Sequence, residues 1–427
     1  MLWLVFLVML VLLLSGFPML VPLFVGALLT TALVLSGDPV NLISAMIKAV
    51  EPTVLTAVPM FILAADIMVR GRTAHLLLDL VTAFVRHLRG GLPITVALSC
   101  TLFGAVSGST QATVVAMGQP LRPKMLQAGY TDSFTIALII NASDIALMIP
   151  PSISMILFGV VSGTSVGELF IAGIGPGLMI LAMFSAYCWL YSARAGVASQ
   201  ARASWRERLS AVRRALLPAG FPVIIIGGIY SGVFSPTEAA AASVAYALVL
   251  ELLVYRELRL RDLPVVALST AVVTAVVFIL VAAGGAFSWA IAFAQLPQLL
   301  LGDLVANAAG NPHLVLGVIF VSFLVACMFV DPIVVILVLT PILMPAANAA
   351  GLDPVLVGTL VTLQVAIGSA TPPFGCDIFT AMAIFRKPYL DVIRGTPPFI
   401  VMLLVATVLL IAFPQLALFL RDLAYGY

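Results

Sequence analysis

Long runs of apolar residues, separated by short polar or basic segments, recur along the whole chain. A run of about 20 apolar residues can cross a bilayer as an α-helix. The composition agrees with this pattern, because 63% of the 427 residues are hydrophobic and only 9% are charged, whereas a soluble domain carries about 25% charged residues. The pattern predicts an all-α polytopic membrane protein embedded in the lipid bilayer. The sequence contains no Gly-rich phosphate loop and no nucleic-acid-binding motif, so no nucleic-acid partner is expected.

One apolar stretch, residues 90–121, has basic residues at both ends, namely Arg86, Arg89, Arg122 and Lys124. Lys and Arg near the end of a span favour the cytoplasmic side, so both ends of this stretch should lie on that side. Its centre, Gly104-Ala-Val-Ser-Gly-Ser-Thr110, contains two glycines that permit a tight turn. We therefore predict a re-entrant hairpin with its tip in this segment. The alternative is one ordinary helix whose small residues serve packing.

The next apolar run, residues 134–162, contains two polar interruptions, Asn141-Ala-Ser-Asp144 and Ile149-Pro-Pro-Ser152. Proline has no backbone N–H and disfavours helix at the residue before it. The run therefore predicts a broken helix, with both interruptions in the break and two half-helices that meet near the membrane midplane.

The second half of the chain repeats this order. Residues 313–349 have a polar break at Asp331-Pro332 and no flanking Lys or Arg, which predicts a second hairpin entering from the other side. Residues 355–385 are broken at Gly368-Ser-Ala-Thr-Pro-Pro-Phe-Gly375. Ser107 precedes Pro150 by 43 residues, and Asp331 precedes Pro372 by 41. We infer inverted repeats with two re-entrant hairpins and two broken helices, an arrangement that binds substrates and ions where the broken helices come together. The alternative is chance similarity among spans that contain Pro and Gly.

The remaining runs predict further elements: two short spans within 1–36, an amphipathic connector at 40–51, a span at 52–69, an interfacial helix at 71–90, a short arm at 165–172 followed by a separate span at 174–192, spans at 215–233, 239–254 and 264–295, and a last span at 396–420. Six Arg against one Glu mark residues 193–214 as cytoplasmic. Gly284-Gly285 is a candidate flex point, and Arg421 is a lone basic residue on the opposite side.

These elements predict five segments. They are N-terminal scaffold spans with an interfacial arm (1–91), the first transport-domain half with its hairpin and broken helix (92–163), central scaffold spans (164–303), the second transport-domain half (304–386), and a C-terminal arm with the last span (387–427).

The breaks leave main-chain carbonyl and amide groups without helical partners. Carbonyl oxygens suit a cation such as Na⁺, whereas the N-termini of half-helices suit a carboxylate. We therefore predict two Na⁺ sites built mostly from main-chain oxygens. Their residues are Ser107, Thr110, Ala142 and Ile145 in the first half, and Cys327, Gly368, Thr371 and Phe374 in the second.

Three carboxyl groups, Asp144, Asp331 and Asp377, fall inside predicted spans near the breaks, and ionisable groups inside a membrane usually serve function. Asp144 and Asp377 occupy similar places in the two halves and are candidates to bind substrate hydroxyls or amines, or to carry a proton. The alternatives are protonated structural acids at these two positions and a helix N-cap at Asp331, which precedes a proline. The predicted substrate-binding set is Ser109, Gln111, Asn141, Asp144, Pro150, Ser152, Asp331, Pro373, Gly375 and Asp377.

Several motifs in order along nearly the whole chain resemble the large membrane subunit (DctM type) of TRAP transporters. They are Pro59-Met-Phe-Ile-Leu-Ala-Ala-Asp66, Leu102-Phe-Gly-Ala-Val-Ser-Gly-Ser109, Ile149-Pro-Pro-Ser-Ile153, Asp331-Pro332, Leu339-Thr-Pro-Ile342 and Thr371-Pro-Pro-Phe-Gly375. The resemblance implies the ion transporter superfamily fold, an elevator mechanism and Na⁺-driven uptake across a bacterial inner membrane, with main-chain Na⁺ sites at the positions named above. It also implies two partners, a small four-helix membrane subunit and a periplasmic substrate-binding protein, and no organic cofactor.

The chain departs from the family pattern at three places. Asn141-Ala-Ser-Asp144 stands where the first break is usually glycine-rich, Cys327 where a glycine is usual, and Asp377 where an Asn-like residue is usual. Two additional acids would repel a dianion, so we expect a small neutral, zwitterionic or sugar-acid solute in place of a plain dicarboxylate or sialic acid. The alternatives are a stand-alone carrier of the same fold, a passive channel and an intramembrane enzyme; the sequence lacks the HExxH, GxGD and DDxxD spacings of such enzymes.

Overall fold

The computed structural model describes residues 2–35, 38–295, 299 and 311–426, and every regular element in that part of the chain is helical. Six of its helices are long and apolar enough to cross a membrane, or eight spans if each of two bent helix pairs counts as one. This confirms the predicted all-α polytopic fold.

The helices of the first half are α1 (Leu2–Leu14), α2 (Leu20–Leu29, extended by a π-helical turn over Thr30–Val34), α3 (Val40–Val50), α4 (Ala57–Arg70, after a 3-10 turn over Thr53–Thr56), α5 (Thr73–Val85), α6 (Gly91–Ser107), α7 (Thr110–Gln127), α8 (Asp132–Asp144, extended by a 3-10 turn over Ile145–Leu147), α9 (Ile153–Ser162), α10 (Val166–Ala195) and α11 (Trp205–Pro222, extended by a π-helical turn over Val223–Gly227).

The later helices are α12 (Gly228–Tyr230), α13 (Pro236–Leu248, extended by a π-helical turn over Val249–Val254), α14 (Leu263–Phe293, after a 3-10 turn over Leu260–Asp262), α15 (Pro312–Phe329), α16 (Pro332–Ala349), α17 (Pro354–Ala370), α18 (Cys376–Phe385), α19 (Tyr389–Ile393), α20 (Pro397–Ala412) and α21 (Gln415–Tyr425).

Hairpin 1 consists of α6 and α7, which pack against each other on either side of a two-residue turn. Gly108 in this turn has a φ of +62°, a left-handed conformation that favours glycine. The next residue, Ser109, caps α7 by accepting a hydrogen bond from the amide of Ala112. The predicted hairpin is therefore confirmed, and the alternative of one uninterrupted helix is excluded.

Broken helix 1 consists of α8 and α9, which are bent by 43° relative to each other. The predicted break over Asn141–Asp144 is wrong, because α8 continues to Asp144. The polar side chains bond back to the helix: Asn141 Nδ2 donates to the carbonyl of Ala137, and Ser143 Oγ to that of Ile139. The regular helix stops only near the two prolines, which have no amide to donate.

The second half has the same parts. Hairpin 2 consists of α15 and α16, and broken helix 2 of α17 and α18. Asp331 caps α16, since its Oδ1 accepts from the amide of Ile333 at 2.9 Å. Residues 368–370 still belong to α17, so the irregular backbone covers only Thr371–Gly375.

The predicted short arm at 165–172 and the separate span after it form one helix of 30 residues, α10. Gly173 and Gly175 in this helix serve close packing and do not end it. A Cβ on Gly173 would overlap the carbonyl oxygen of Met148, and one on Gly175 would overlap that of Leu416. In the second half the corresponding arm remains separate, as α19 followed by α20.

Three other expectations are corrected. The last span is two helices, α20 and α21, bent by 56° near Pro414. Gly284-Gly285 is not a flex point, because α14 is continuous there. Since glycine has no side chain, Leu337 and Ala49 can approach the helix at these two positions. α11 begins ten residues before the predicted span, because Ser204 and Glu207 form a capping box.

The remaining predicted elements, including the two short N-terminal helices, are present as helices near their expected positions. α14 packs against α2, α3, α4 and α16, whereas α10 packs against α6, α9, α17, α20 and α21. Arg421 is buried and joins α21 to the start of α17, because its Nη1 lies 2.6 Å from Oδ2 of Asp353. The five-segment division stays a prediction, and its boundary between residues 303 and 304 lies outside the described residues.

We expect Gly173→Ala to destabilise the protein, because the added Cβ would overlap backbone and such overpacking costs about 1–3 kcal/mol. Gly317→Ala is the matched control, since a Cβ there would have no described atom within 4 Å and Ala is favoured over Gly in a helix by up to about 1 kcal/mol. Thermal unfolding in detergent should give a lower midpoint for G173A and an equal or higher one for G317A. Equal shifts would contradict the packing role of Gly173.

Candidate functional site

The tip of hairpin 1 contacts the break in broken helix 1. A Cβ on Gly104 would overlap Ala146, which lies in the 3-10 turn after α8. At the turn itself, the carbonyl of Gly108 accepts from the amide of Ile153 at 3.5 Å, and a Cβ on Gly108 would lie 2.7 Å from the carbonyl oxygen of Pro151. Glycine at these two positions therefore allows backbone to lie against backbone where the helix is interrupted.

Hairpin 2 contacts broken helix 2 in the same way. The amide of Phe374 donates to the carbonyl of Met328 at 3.1 Å, and a Cβ on Gly368 would overlap Cys327. Here the glycine belongs to the broken helix and the larger residue to the hairpin, the reverse of the first half. Cys327 fits at the tip of hairpin 2 because position 368 has no side chain.

The residues predicted to bind Na⁺ come together in each half. Ser107 ends α6, Thr110 begins α7, and both helices contact the 3-10 turn that Ile145 begins; Ala142 lies one turn earlier, inside α8. The carbonyl of Ile145 already accepts from the amides of Met148 and Ile149, at 3.0 and 3.3 Å.

In the second half, Gly368 contacts Cys327 directly, Thr371 donates its hydroxyl to the carbonyl of Ile367, and Phe374 bonds to the hairpin as described. No group of three or more His, Cys, Asp or Glu is placed to hold a metal ion in the described part of the chain. A cation at either break would therefore depend on main-chain and hydroxyl oxygens, and the Na⁺ role stays a prediction.

Asp144 and Asp377, one from each half, form a buried acid pair. Asp144 is 1% exposed and Asp377 is 0% exposed, and the two carboxyls are neighbours, with the Ser369 hydroxyl beside them. Thr110 Oγ1 donates to Oδ1 of Asp377 at 2.9 Å, and Ser369 Oγ lies 3.3 Å from Oδ1 of Asp144. The Oδ2 atom of each has no hydrogen-bond donor among the described residues.

The acid pair has an electrostatic consequence. Among the described residues, neither carboxyl of the pair forms an ion pair with Lys or Arg. Two buried carboxylates in contact repel each other strongly, so a proton or another cation must accompany them. The pair can thus accept the cationic part of a solute, and it also joins the two halves of the molecule.

The other predicted substrate-binding residues surround the same breaks. Ser152 caps α9, as Ser109 caps α7, and Gln111 lies beside Cys376 at the start of α18. Asn141 keeps a buried Oδ1 without a donor in the described structure. Pro150 and Pro373 each belong to a proline pair with a cis peptide bond, and Gly375 precedes α18. Asp331 has the N-capping role considered as its alternative.

Sequence reasoning missed a row of four aromatic rings beside break 2. Phe329, Phe374, Phe379 and Tyr389 have successive ring-centroid separations of 6.0, 6.4 and 6.5 Å. The three Phe side chains are 52%, 56% and 44% exposed, and Tyr389 donates its hydroxyl to the carbonyl of Pro373 at 2.9 Å. These residues come from four different elements, so no spacing along the chain connects them.

At the close contact between Cys327 and Gly368 one of the two residues must be small, and we expect that the glycine can stand at either position. Gly368→Ala alone should reduce transport and lower the unfolding midpoint, because its Cβ overlaps Cys327; overpacking of this kind costs about 1–3 kcal/mol. Adding Cys327→Gly reproduces the glycine placement of the first half and should recover part of both losses. A double variant no better than Gly368→Ala would contradict this account of the contact.

Comparison with known proteins agrees with this architecture. The family model described as "Tripartite ATP-independent periplasmic transporter, DctM component" matches residues 6–416. The chain is 64% identical over 416 residues to the ectoine TRAP transporter large permease protein TeaC of Halomonas elongata, covering 97% of each chain. It is 63% identical over 425 residues to the ectoine/5-hydroxyectoine TRAP transporter large permease protein UehC of Ruegeria pomeroyi, covering 99% of each.

Among solved structures, the Alcanivorax borkumensis YdaH transporter superposes with a TM-score of 0.58 at 15% identity, over 91% of this chain and 88% of that one. This likeness supports the fold. The family matches confirm the resemblance inferred from the motifs, and they confirm that the chain is a multi-pass transporter component and not an enzyme. The chain therefore belongs to the tripartite ATP-independent periplasmic (TRAP) transporters, as a DctM component, the large permease subunit.

Proposed function

We propose that this subunit imports ectoine or 5-hydroxyectoine across a bacterial inner membrane, driven by Na⁺ and by an elevator movement of the hairpins and broken helices. The observation that carries the proposal is the 63–64% identity, over 97–99% of the chain, to two permeases named for ectoine. The partners in this proposal are a small four-helix membrane subunit and a periplasmic substrate-binding protein that delivers the solute.

The charge of the solute supports this choice. Ectoine is a small ring that carries a delocalised amidinium cation and a carboxylate. The acid pair, Asp144 and Asp377, suits the cation, since neither acid has a Lys or Arg partner among the described residues. The N-terminus of α7 lies beside that of α18, where Thr110 bonds to Asp377, and helix N-termini favour a carboxylate. A zwitterion can use both features, whereas a dianion would be repelled by the acids.

The aromatic row offers a second contact for the same cation. A cation over the face of an aromatic ring gains about 0.5–2 kcal/mol, depending on how far it is desolvated. Phe374 and Phe379 present half-exposed rings next to the break that precedes Asp377. A planar amidinium can stack on such rings on its way to the acid pair.

The Na⁺ coupling rests on the geometry of the two breaks. Each break places main-chain carbonyl groups against a hairpin tip, among them that of Gly108, which accepts only a long bond of 3.5 Å from Ile153. The charge pattern of the flanks predicts that the two hairpins open to opposite sides of the membrane. A cation bound at both breaks would hold the hairpins closed over the solute. This is how we propose that the Na⁺ gradient is used.

Uptake by the complete three-component system in proteoliposomes tests this function. We expect ectoine uptake that requires an inward Na⁺ gradient and is not inhibited by a C4-dicarboxylate. Asp144→Asn and Asp377→Asn should each lower uptake about tenfold or more, because losing one member of a buried charged contact costs about 2–5 kcal/mol. Asp391→Asn, at an exposed carboxyl, is the control.

Preference for a dianion, or full activity in both site variants, would contradict the proposal. Uptake by this chain alone would instead favour the stand-alone carrier, and flux without any ion gradient would favour a channel.

Replacing aromatic rings by aliphatic side chains tests the aromatic row. Phe374→Leu and Phe379→Leu should raise the KM for ectoine about twofold to thirtyfold, the loss expected for a cation–π contact of about 0.5–2 kcal/mol, whereas Phe→Tyr should leave it nearly unchanged. Phe419→Leu is the control, because Phe419 is 60% exposed far along the chain in α21. An unchanged KM in both Leu variants would remove the row from the site.

A further inference from the structure

Glu251 is a buried carboxylate that the transport site does not use. It lies in the π-helical turn after α13 and is 0% exposed. Its Oε2 accepts from the amide of Arg72 at 2.9 Å, and its Oε1 accepts from the amide of Thr73 at 3.0 Å and from the Thr73 hydroxyl. These groups form the N-terminus of α5, so a carboxylate 178 residues away caps this helix.

The sequence before α5 is adapted to this contact. A Cβ on Gly71 would overlap the Glu251 carboxylate, so the chain has glycine where the carboxylate approaches. The negative charge is balanced by the amides and the partial positive charge at the helix N-terminus. Removing the carboxylate would leave the buried amide and hydroxyl of Thr73 and the part-buried amide of Arg72 without this acceptor, which is costly away from water.

The other end of α5 is tied to the same part of the chain. The carbonyl of Arg86 accepts from the amide of Gln200 at 3.2 Å, and its guanidinium donates from Nε to the carbonyl of Ala201 at 3.0 Å and lies 3.3 Å from Glu207. Along its length α5 packs against α11, and on another face it packs against α6 of hairpin 1. Both ends and one face of α5 are thus bonded to the segment 200–254.

A few residues later the chain lies against a different neighbour. Gly90 has a φ of +69°, and a Cβ there would lie 2.7 Å from the carbonyl oxygen of Cys188 in α10. Hairpin 1 begins at the next residue. The chain between α5 and hairpin 1 starts at His87, whose Nδ1 lies 3.5 Å from Nη2 of Arg208 in α11. Leu88–Arg89 then connects to the hairpin packed on α10, with turn hydrogen bonds such as Leu88 N to Val85 O at 2.9 Å.

We propose that Glu251 is a positioning residue that fixes α5 during transport, so that hairpin 1, whose helix α6 packs on α5, slides along it together with α10 about the joint Leu88–Gly90. This inference rests on the elevator movement proposed above, and it places α10 with the moving helices and not with the scaffold segment expected from sequence. The alternative is that α5 moves together with hairpin 1 and its contact with Glu251 breaks in each cycle.

The test replaces the hydrogen bonds by a removable covalent bridge. Thr73→Cys/Glu251→Cys is built in a Cys376→Ser background, because the other native cysteines, Cys100, Cys188 and Cys327, are buried. Without a bridge, the loss of the capping carboxylate should lower ectoine uptake about fivefold or more. A short, reducible thiol cross-linker should restore uptake to within about twofold of the parent, and reductant should reverse the recovery.

Gly284→Cys/Leu337→Cys is the control with the opposite expectation. Gly284 lies in α14 and Leu337 in hairpin 2, and a Cβ on Gly284 would lie 2.8 Å from the Cβ of Leu337. This interface must slide if hairpin 2 moves. Cross-linking it should stop uptake. Loss of uptake on cross-linking residues 73 and 251 would overturn the proposal, as would full activity of Glu251→Gln and of the unbridged double variant.

A second readout does not need ectoine. The rate of cross-linking between residues 73 and 251 should be the same with and without Na⁺, whereas that between residues 284 and 337 should change. A Na⁺-dependent rate at the first pair overturns the fixed position of α5. If the parent fails to take up ectoine while both cross-linking rates behave as expected, the substrate proposal is wrong. The proposal that Glu251 fixes α5 then still stands.

Discussion

A backbone break inside a membrane survives only if protein covers its free polar groups, because lipid offers no hydrogen bonds. In this molecule each hairpin tip covers one break. The amide of Ile153 bonds to the carbonyl of Gly108 in the first half, and the amide of Phe374 to that of Met328 in the second. Glycine at position 104 or 368 lets the two backbones lie close enough for this. The rest of the fold holds these two tip-to-break contacts in place.

The two halves are joined at the same depth by side chains. Thr110 of hairpin 1 bonds to Asp377 of broken helix 2, and Ser369 of broken helix 2 lies beside Asp144 of broken helix 1. A solute that neutralises the acid pair would therefore act on both halves at once. Asp144 lies just before the tip-to-break contact of its half and Asp377 just after that of the other half. Closure of the tips and binding of the solute therefore share one set of elements. This is a physical basis for coupling the entry of a solute to the entry of ions.

Much of the fold could be predicted from the sequence, at the positions where a local sequence pattern has only one structural consequence. The proline pairs at 150–151 and 372–373 interrupt a helix because they lack amide donors, and basic flanks located both ends of hairpin 1. The predicted break at the polar segment Asn141–Asp144 was wrong, because its side chains bond to the preceding turn and leave the helix intact. The predicted helix end at Gly173-Ile-Gly-Pro176 was also wrong. Its glycines let neighbouring carbonyl groups pack closely against a helix that continues through them.

Contacts between distant segments could not be predicted in this way. Asp144 and Asp377 were each identified as functional candidates, but their direct contact depends on how the halves pack. Glu251 is an ionisable residue inside the predicted span 239–254, which marks it as a candidate, but its role follows only from its position next to Thr73.

The central claim is that two hairpins from opposite sides of the membrane cover two breaks. Single cysteines at the open ends of the hairpins test it, at Gln127 after α7 and Asn348 near the end of α16, both exposed. A membrane-impermeant thiol reagent added to intact cells should label Asn348→Cys, and should label Gln127→Cys only after the membrane is permeabilised. Labelling of both from the same side would contradict the inverted arrangement on which the account depends.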